Sequence, residues 1–232
     1  MMNKNLNWAH LITPNKPKAL MFAKREVSVL VHDAVQLEGI NFTLPEIQTL
    51  LEGITVGGHK IADQQVALNQ HEAWKHLFSA VHKDSFCVSQ EFVCKLHAIA
   101  AKEEALEWGS FRSGMVSIAG TEYVPPVPSA LNEQFVKLQA ELQSITDIYD
   151  RAIHAFLSMA RNQFFYDVNK RMGRFVMNGI LLSAGYPAIN LPAKKKLEFN
   201  QLMLPFYETG DETAMNAFMR GCVDEKLIML MS

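Results

Sequence analysis

Apolar side chains return at helical spacing along most of this chain. Between Pro17 and Leu37 they fall at Leu20, Met21, Val27, Leu30, Val31 and Val35, and Gly39 follows as a stop, which predicts one helix over 17–37. Thr43 then precedes a short apolar run with Glu46 three residues on, the reciprocal pattern that caps a helix start, and predicts a helix over 44–52. Gly57-Gly58 end it. The helical period resumes over 61–82, where Trp74, Leu77, Phe78 and Val81 share one side and are predicted core, and again over 89–102. Further on it predicts helices over 130–142, 147–162 and 169–183, the last halted by Gly185-Tyr186-Pro187, then 193–207 and 211–230.

Between Gly109 and Pro126 the pattern alternates instead. Met115, Val116, Ser117 and Ile118 lead to Gly120-Thr121, and Glu122, Tyr123 and Val124 lead to a Pro125-Pro126 stop, which predicts one β-hairpin. No internal repeat, low-complexity stretch or Pro/Ser-rich linker interrupts the chain. The predicted fold class is mainly α, a helical bundle with a single β-hairpin attached.

Composition narrows the function classes. The 232 residues suffice for a sizeable core, and 49% apolar with 20% charged residues is the balance of a globular protein. A net charge of −2 and a densest basic run of only Lys194, Lys195 and Lys196 argue against nucleic-acid binding, which needs a surface that neutralises several phosphates. No stretch is long and apolar enough for a membrane span, and the first residues lack an apolar signal-peptide region, so a cytoplasmic protein with no membrane partner is expected. Cys87, Cys94 and Cys222 form no CxxC pair and are read as buried, inert thiols in a reducing compartment. His71 and His76 flank a segment that looks like a zinc helix, but ligands five apart lie roughly 140° around the axis, so no zinc site is expected. The apolar tail 227–231 fits either the core or a contact between copies, which leaves a homo-oligomer open.

Chemistry concentrates in residues 163–174, Gln-Phe-Phe-Tyr-Asp-Val-Asn-Lys-Arg-Met-Gly-Arg. They read as a helix end, a tight polar loop and a new helix with Asn169, Lys170 and Arg171 in its first turn. Unpaired N–H groups and the positive dipole end at a helix start suit an anion. Arg171 and Arg174, three apart, share a face from which both could reach one phosphate chain, and Asp167 just ahead of them could hold Mg²⁺. A surface helix with ordinary ion pairs fits the same residues.

The order of residues resembles the Fic motif: histidine, an apolar pair, an acidic residue, glycine, asparagine, glycine or lysine, and two arginines at fixed spacing. Phe165, Asp167, Asn169, Lys170, Arg171 and Arg174 fall on matching positions. Leu37-Glu38-Gly39 resembles that family's N-terminal inhibitory helix, and Leu44-Pro45-Glu46 with Gly57-Gly58 resembles the segment next to it in the family. Gly109-Ser110-Phe111-Arg112 and the hairpin resemble its flap, and Gly185-Tyr186-Pro187 the turn after its motif helix. The similarity spans roughly 31–205, with 1–30 expected as a helical extension and 206–232 as a C-terminal helix packed on the same domain.

The resemblance implies a protein adenylyltransferase site: a histidine takes the proton of a target Ser, Thr or Tyr hydroxyl, which attacks the α-phosphate of ATP. In this chain Gln163 stands at the base position. Asp167 would hold Mg²⁺, the backbone around Val168, Asn169 and Lys170 would form the anion-binding turn, and Arg171 and Arg174 would meet the outer phosphates. Glu38 would pair with Arg174 and obstruct the nucleotide site. The flap, with Val116, Ser117, Ile118 and Tyr123, would dock a protein target or regulatory partner as an added strand, although Tyr123 also fits plain hairpin packing.

Two departures change the expected chemistry. A glutamine amide accepts a hydrogen bond but takes no proton near neutral pH, and loss of a general base removes about 10²–10⁴ in rate. Val168 replaces the family's small residue and, at positive φ, would carry roughly 1–2 kcal/mol of strain. His154 would sit about 13 Å back along the same helix, too far to substitute. The expectation is an ATP- and Mg²⁺-binding member that is inactive or impaired, or a pseudoenzyme that binds a partner protein through its flap.

Overall fold

In the computed structural model, which describes residues 8–232, the predicted helices form, with two of them divided. In chain order they are α1 (Lys16–Arg25), α2 (Val27–Leu37), α3 (Leu44–Leu51), α4 (Ile61–His82), α5 (Gln90–Ala100), α6 (Leu131–Ser144), α7 (Ile148–Asn162), α8 (Asn169–Ser183), α9 (Lys196–Thr209), α10 (Thr213–Arg220) and α11 (Glu225–Met231). Thr43 and Glu46 make the expected reciprocal cap at the start of α3.

α8 lies at the centre, with every residue from Asn169 to Leu182 except Lys170 buried. It packs along α7 and is flanked by α4, α5 and α1. Gly173 permits the close approach: a Cβ there would lie 2.8 Å from the carbonyl oxygen of Phe156. Trp74, Leu77, Phe78 and Val81 of α4 are buried as expected. The apolar core runs from Ile12 and Leu20 through α7 and α8 to Met215 and Met231, so residues before 31 and after 205 share it.

The helix expected over 17–37 bends at Glu26 (φ −92, ψ 8), whose N–H still bonds to the Phe22 carbonyl. Hydrogen bonding therefore carries through the bend, and α1 rests on α4 and α8 while α2 rests on α3 and α4. The helix expected over 211–230 breaks at residues 221–224, where the Asp224 side chain caps α11 by accepting from the Lys226 N–H. In the tail Met231 is buried, while Met229 and Leu230 are 70% and 50% exposed.

The predicted β-hairpin does not form: no strand occurs among the described residues. Exposure does alternate along the flap, with Val116, Ile118, Thr121 and Tyr123 half-buried and Met115, Ser117, Glu122 and Val124 exposed. Alternation specifies which side turns inward, not that two strands pair, and a hairpin without a third strand is marginal. Side chains hold this segment instead. Arg112 donates to the carbonyls of Gln163 (2.6 Å), Gly114 (2.7 Å) and Pro126, and Glu208 accepts from Thr121 Oγ1 and from the Glu122 N–H (2.8 Å).

The three cysteines are free, but only Cys222 is buried: Cys94 is half-buried, and Cys87 is exposed because it lies in the α4–α5 link and not on an apolar helix face. Among the described residues no helix is long and apolar enough to cross a membrane, and no three metal-binding side chains cluster.

Candidate functional site

α7 ends at Gln163 and α8 starts after Val168, both with left-handed backbone (φ 49, ψ 60 and φ 64, ψ 9). Asn169 closes the loop between them. Its Oδ1 accepts from the Phe165 N–H (2.9 Å), and its Nδ2 donates to the Phe165 carbonyl (2.8 Å) and to Gln163 Oε1 (2.9 Å). Gln163 Nε2 in turn donates to the Ala160 carbonyl (2.5 Å), so the Gln163 amide is bonded at both ends within the turn. Val168 is buried, and its branched side chain at positive φ carries about 1–2 kcal/mol of strain.

Aromatic rings anchor the loop from below. Phe164 and Phe165 are fully buried against Phe111, and Phe165 stacks on His97 with ring centroids 3.7 Å apart. His97 Nδ1 accepts from the Gly109 N–H (3.1 Å), so Nε2 carries the hydrogen and donates to the Asp167 carbonyl (3.3 Å). Burial pushes the imidazole down to about 4, so it is neutral at physiological pH and joins α5, the flap base and the motif loop. Asp167 is exposed at the rim, one carboxylate oxygen accepting from the Val168 N–H.

The charged centre lies one turn into α8. Arg171 and Arg174 are both more than nine-tenths buried, and Lys170 is half-exposed. Glu38, at the C-terminal end of α2, places Oε1 3.7 Å from both Arg171 Nε and Arg174 Nη2. Burial alone would raise the Glu38 carboxyl, but Arg171 and Arg174 outweigh it and hold the group below the usual range. Glu104 grips Arg171 with both oxygens, Oε2 accepting from Nη1 at 2.8 Å and Oε1 accepting from Nη2. Among the described residues Arg174 Nη2 and Arg171 Nε have no hydrogen-bond partner. Burial pulls the Arg174 guanidinium down to about 10, still charged at neutral pH. Behind the arginines, between Leu37, Trp74 and Asn178, a cavity of about 10 Å³ has room for one water. That cavity is too small for an anion as large as phosphate.

The structure thus gathers Gln163, Asp167, Val168, Asn169, Lys170, Arg171, Arg174 and Glu38 around one turn. Val116, Ser117 and Ile118 follow on the flap, beyond the joint at Arg112, and Tyr123 lies under the Arg161 guanidinium at 4.1 Å. His154 is engaged by Glu212 (2.8 Å) and Glu141 (3.2 Å) and serves no role at the loop. The sequence reading missed His97 and Glu104. A signal existed for His97, which shares a helix face with Val93, Leu96 and Ala100, where a polar residue marks a buried hydrogen bond. Glu104 carried none.

Residues 87–181 match the model of the Fic/DOC family. Among curated proteins the chain is similar to the protein adenylyltransferase Fic of Drosophila persimilis, 27% identical over 217 residues that cover 90% of this chain and 42% of that protein. The same identity and coverage of this chain hold for the Drosophila melanogaster protein, and the chain spans less than half the length of these relatives. The fold is similar to that of Fic-1 from C. elegans (TM-score 0.78, 19% identity, 89% of this chain and 64% of that one). It is also similar to a Fic domain containing signaling protein from Bacteroides thetaiotaomicron (TM-score 0.73, 18% identity, 96% and 91%). The family match covers the motif loop, and the likeness to the relatives extends across helices on either side of it: residues 87–181 carry the Fic/DOC match, within a chain whose fold is similar to that of Fic proteins.

Proposed function

We propose that this chain binds ATP with Mg²⁺ at the start of α8, in a unit spanning 31–205, and that its AMP-transfer chemistry is disabled at Gln163. The observation that carries the reading is Arg174: a charged guanidinium, almost fully buried, with a terminal nitrogen that finds no hydrogen bond among the described residues. A buried charge left so costs stability unless a ligand completes it. The curated relatives are named protein adenylyltransferases, which transfer AMP to protein, and that name supports ATP as the ligand and a protein as the partner. Asp167, exposed beside the helix start, fits Mg²⁺, which takes one or two carboxylates and completes its shell with phosphate and water. The metal would neutralise charge on the phosphates.

Gln163 removes the base, and neither nearby histidine replaces it. His97 is fully buried with both nitrogens engaged, and His154 is held by two glutamates. Glu38 stands on the approach to the arginines and so restrains nucleotide entry. Three free thiols fit a reducing compartment, and we place the protein in the cytoplasm.

Calorimetric titration of ATP with Mg²⁺ tests the reading. The natural chain should bind weakly and Arg174→Ala should not bind. Glu38→Gly should bind about tenfold tighter, since it removes a carboxylate that lies in ion-pair range of both guanidinium groups and competes with phosphate for them. Absence of heat from both the natural chain and Glu38→Gly at millimolar ATP would refute it. One observation favours a second reading, a protein-binding module: the flap is extended with Met115 and Val124 exposed and no ladder among the described residues, which leaves backbone groups for an added strand.

A further inference from the structure

The turn after α5 carries three acidic residues with different fates. Glu103 is exposed, Glu107 accepts from Ser113 Oγ, and Glu104 turns inward to Arg171. Its side chain is 22% exposed against 3% for Arg171. Both terminal nitrogens of Arg171 are consumed by this fork, so only Nε is left to face Glu38. Arg174 likewise offers Glu38 one nitrogen at 3.7 Å. Glu38 therefore lies in ion-pair range of two guanidinium groups and in hydrogen-bond contact with neither. A carboxylate beside a free guanidinium ordinarily takes the two-bond fork. On Arg171 that fork is denied to Glu38, because Glu104 already fills it.

We infer that Glu104 is a positioning residue that holds Arg171 away from Glu38 and so keeps Glu38 loosely seated, ready to be displaced by phosphate. The inference rests on the reading of Glu38 as the group occupying a nucleotide site. It gives the two arginines unequal tasks: Arg171 is a strut between α8 and the α5 turn, and Arg174 is the free ligand.

Glu104→Gln tests it. Without the carboxylate the Arg171 fork turns to Glu38, and the block tightens. Affinity for ATP with Mg²⁺ should fall about tenfold in Glu104→Gln, opposite in sign to Glu38→Gly, and should return to the Glu38→Gly level when both changes are combined. Simple damage to the site would leave the double variant as weak as Glu104→Gln. Such a result, or an unchanged or raised affinity in Glu104→Gln, overturns the inference. Thermal unfolding without nucleotide supplies a second arm: Glu38→Gly should lower the midpoint by several degrees more in the Glu104→Gln background than in the natural one. Equal losses in both backgrounds overturn the inference. This coupling is read whether or not any variant binds ATP, so a failed nucleotide reading and a failed role for Glu104 give different results. If Glu104→Gln does not fold, Glu104→Asp, which withdraws the charge by one methylene, should move both readouts the same way to a smaller extent.

Discussion

Replacing Val168 by glycine sets three effects against one another. Removing the branched side chain at φ 64 relieves about 1–2 kcal/mol of strain. The side chain is 3% exposed, and losing its burial costs about 1.5–3 kcal/mol. Glycine also gives the unfolded chain more freedom, a further loss of about 0.5–1 kcal/mol. Burial and entropy together outweigh strain, for a net loss of about 1.5 kcal/mol at mid-range, or a fall of about 3–6 °C in the unfolding midpoint for a chain of this size. Differential scanning calorimetry of the natural protein, Val168→Gly and Val168→Ala reads the balance. Alanine loses two methyl-sized groups, about 1.6 kcal/mol, but keeps a Cβ at positive φ. It should therefore fall about as far as glycine, whereas at an unstrained position glycine would cost roughly 1 kcal/mol more. A midpoint that rises in Val168→Gly would show that strain exceeds burial and sink the reasoning. A glycine variant well below the alanine one would show that the strain is absent.

Gln163→His combined with Val168→Gly should yield AMP transfer about 10²–10⁴ above the natural chain, followed with radiolabelled ATP, and a combined variant no more active than the natural chain would count against the base-loss account. Although burial pulls His154 down, Glu212 and Glu141 outweigh it and raise its folded value, so its stabilisation is complete below about pH 6.5 and lost as pH climbs through the raised value. His154→Gln should flatten that alkaline decline in midpoint, and an unchanged slope would exclude the ion pairs as its source. His97 acts with the opposite sign: lowered to about 4, it removes about 3 kcal/mol of stability as pH falls from about 6.5 to 4, a loss that melting curves across that window should show. Arg112→Met deprives three carbonyls of a charged donor and should lower the midpoint by about 10 °C while exposing residues 113–127 to limited proteolysis; a protected flap would contradict the anchoring role.

The helices were legible because their faces repeat at 3.6 residues and their ends carry local signals such as the Thr43 cap. The bend at Glu26 was not, since apolar spacing continues through it and only the different partners of α1 and α2 require it. Alternation between Met115 and Val124 announced an extended segment and its inward side, yet pairing depends on what else covers the flap. The motif positions were readable from order alone. What they touch was not: Glu104 and Arg171 are 67 residues apart, His97 and Asp167 are 70 apart, and no local pattern links them.

The stack of Phe165 on His97 has a consequence for motion. Rings 3.7 Å apart and 7° from parallel leave no sweep volume for a half-turn of the phenyl ring, and Phe111 closes its edge. Phe165 can flip only when α5 and the motif loop separate momentarily, a collective movement on the microsecond-to-millisecond scale rather than a side-chain rotation in nanoseconds. Line shapes of the Phe165 ring protons would therefore act as a clock for breathing of the whole loop, audible without ligand, substrate or turnover.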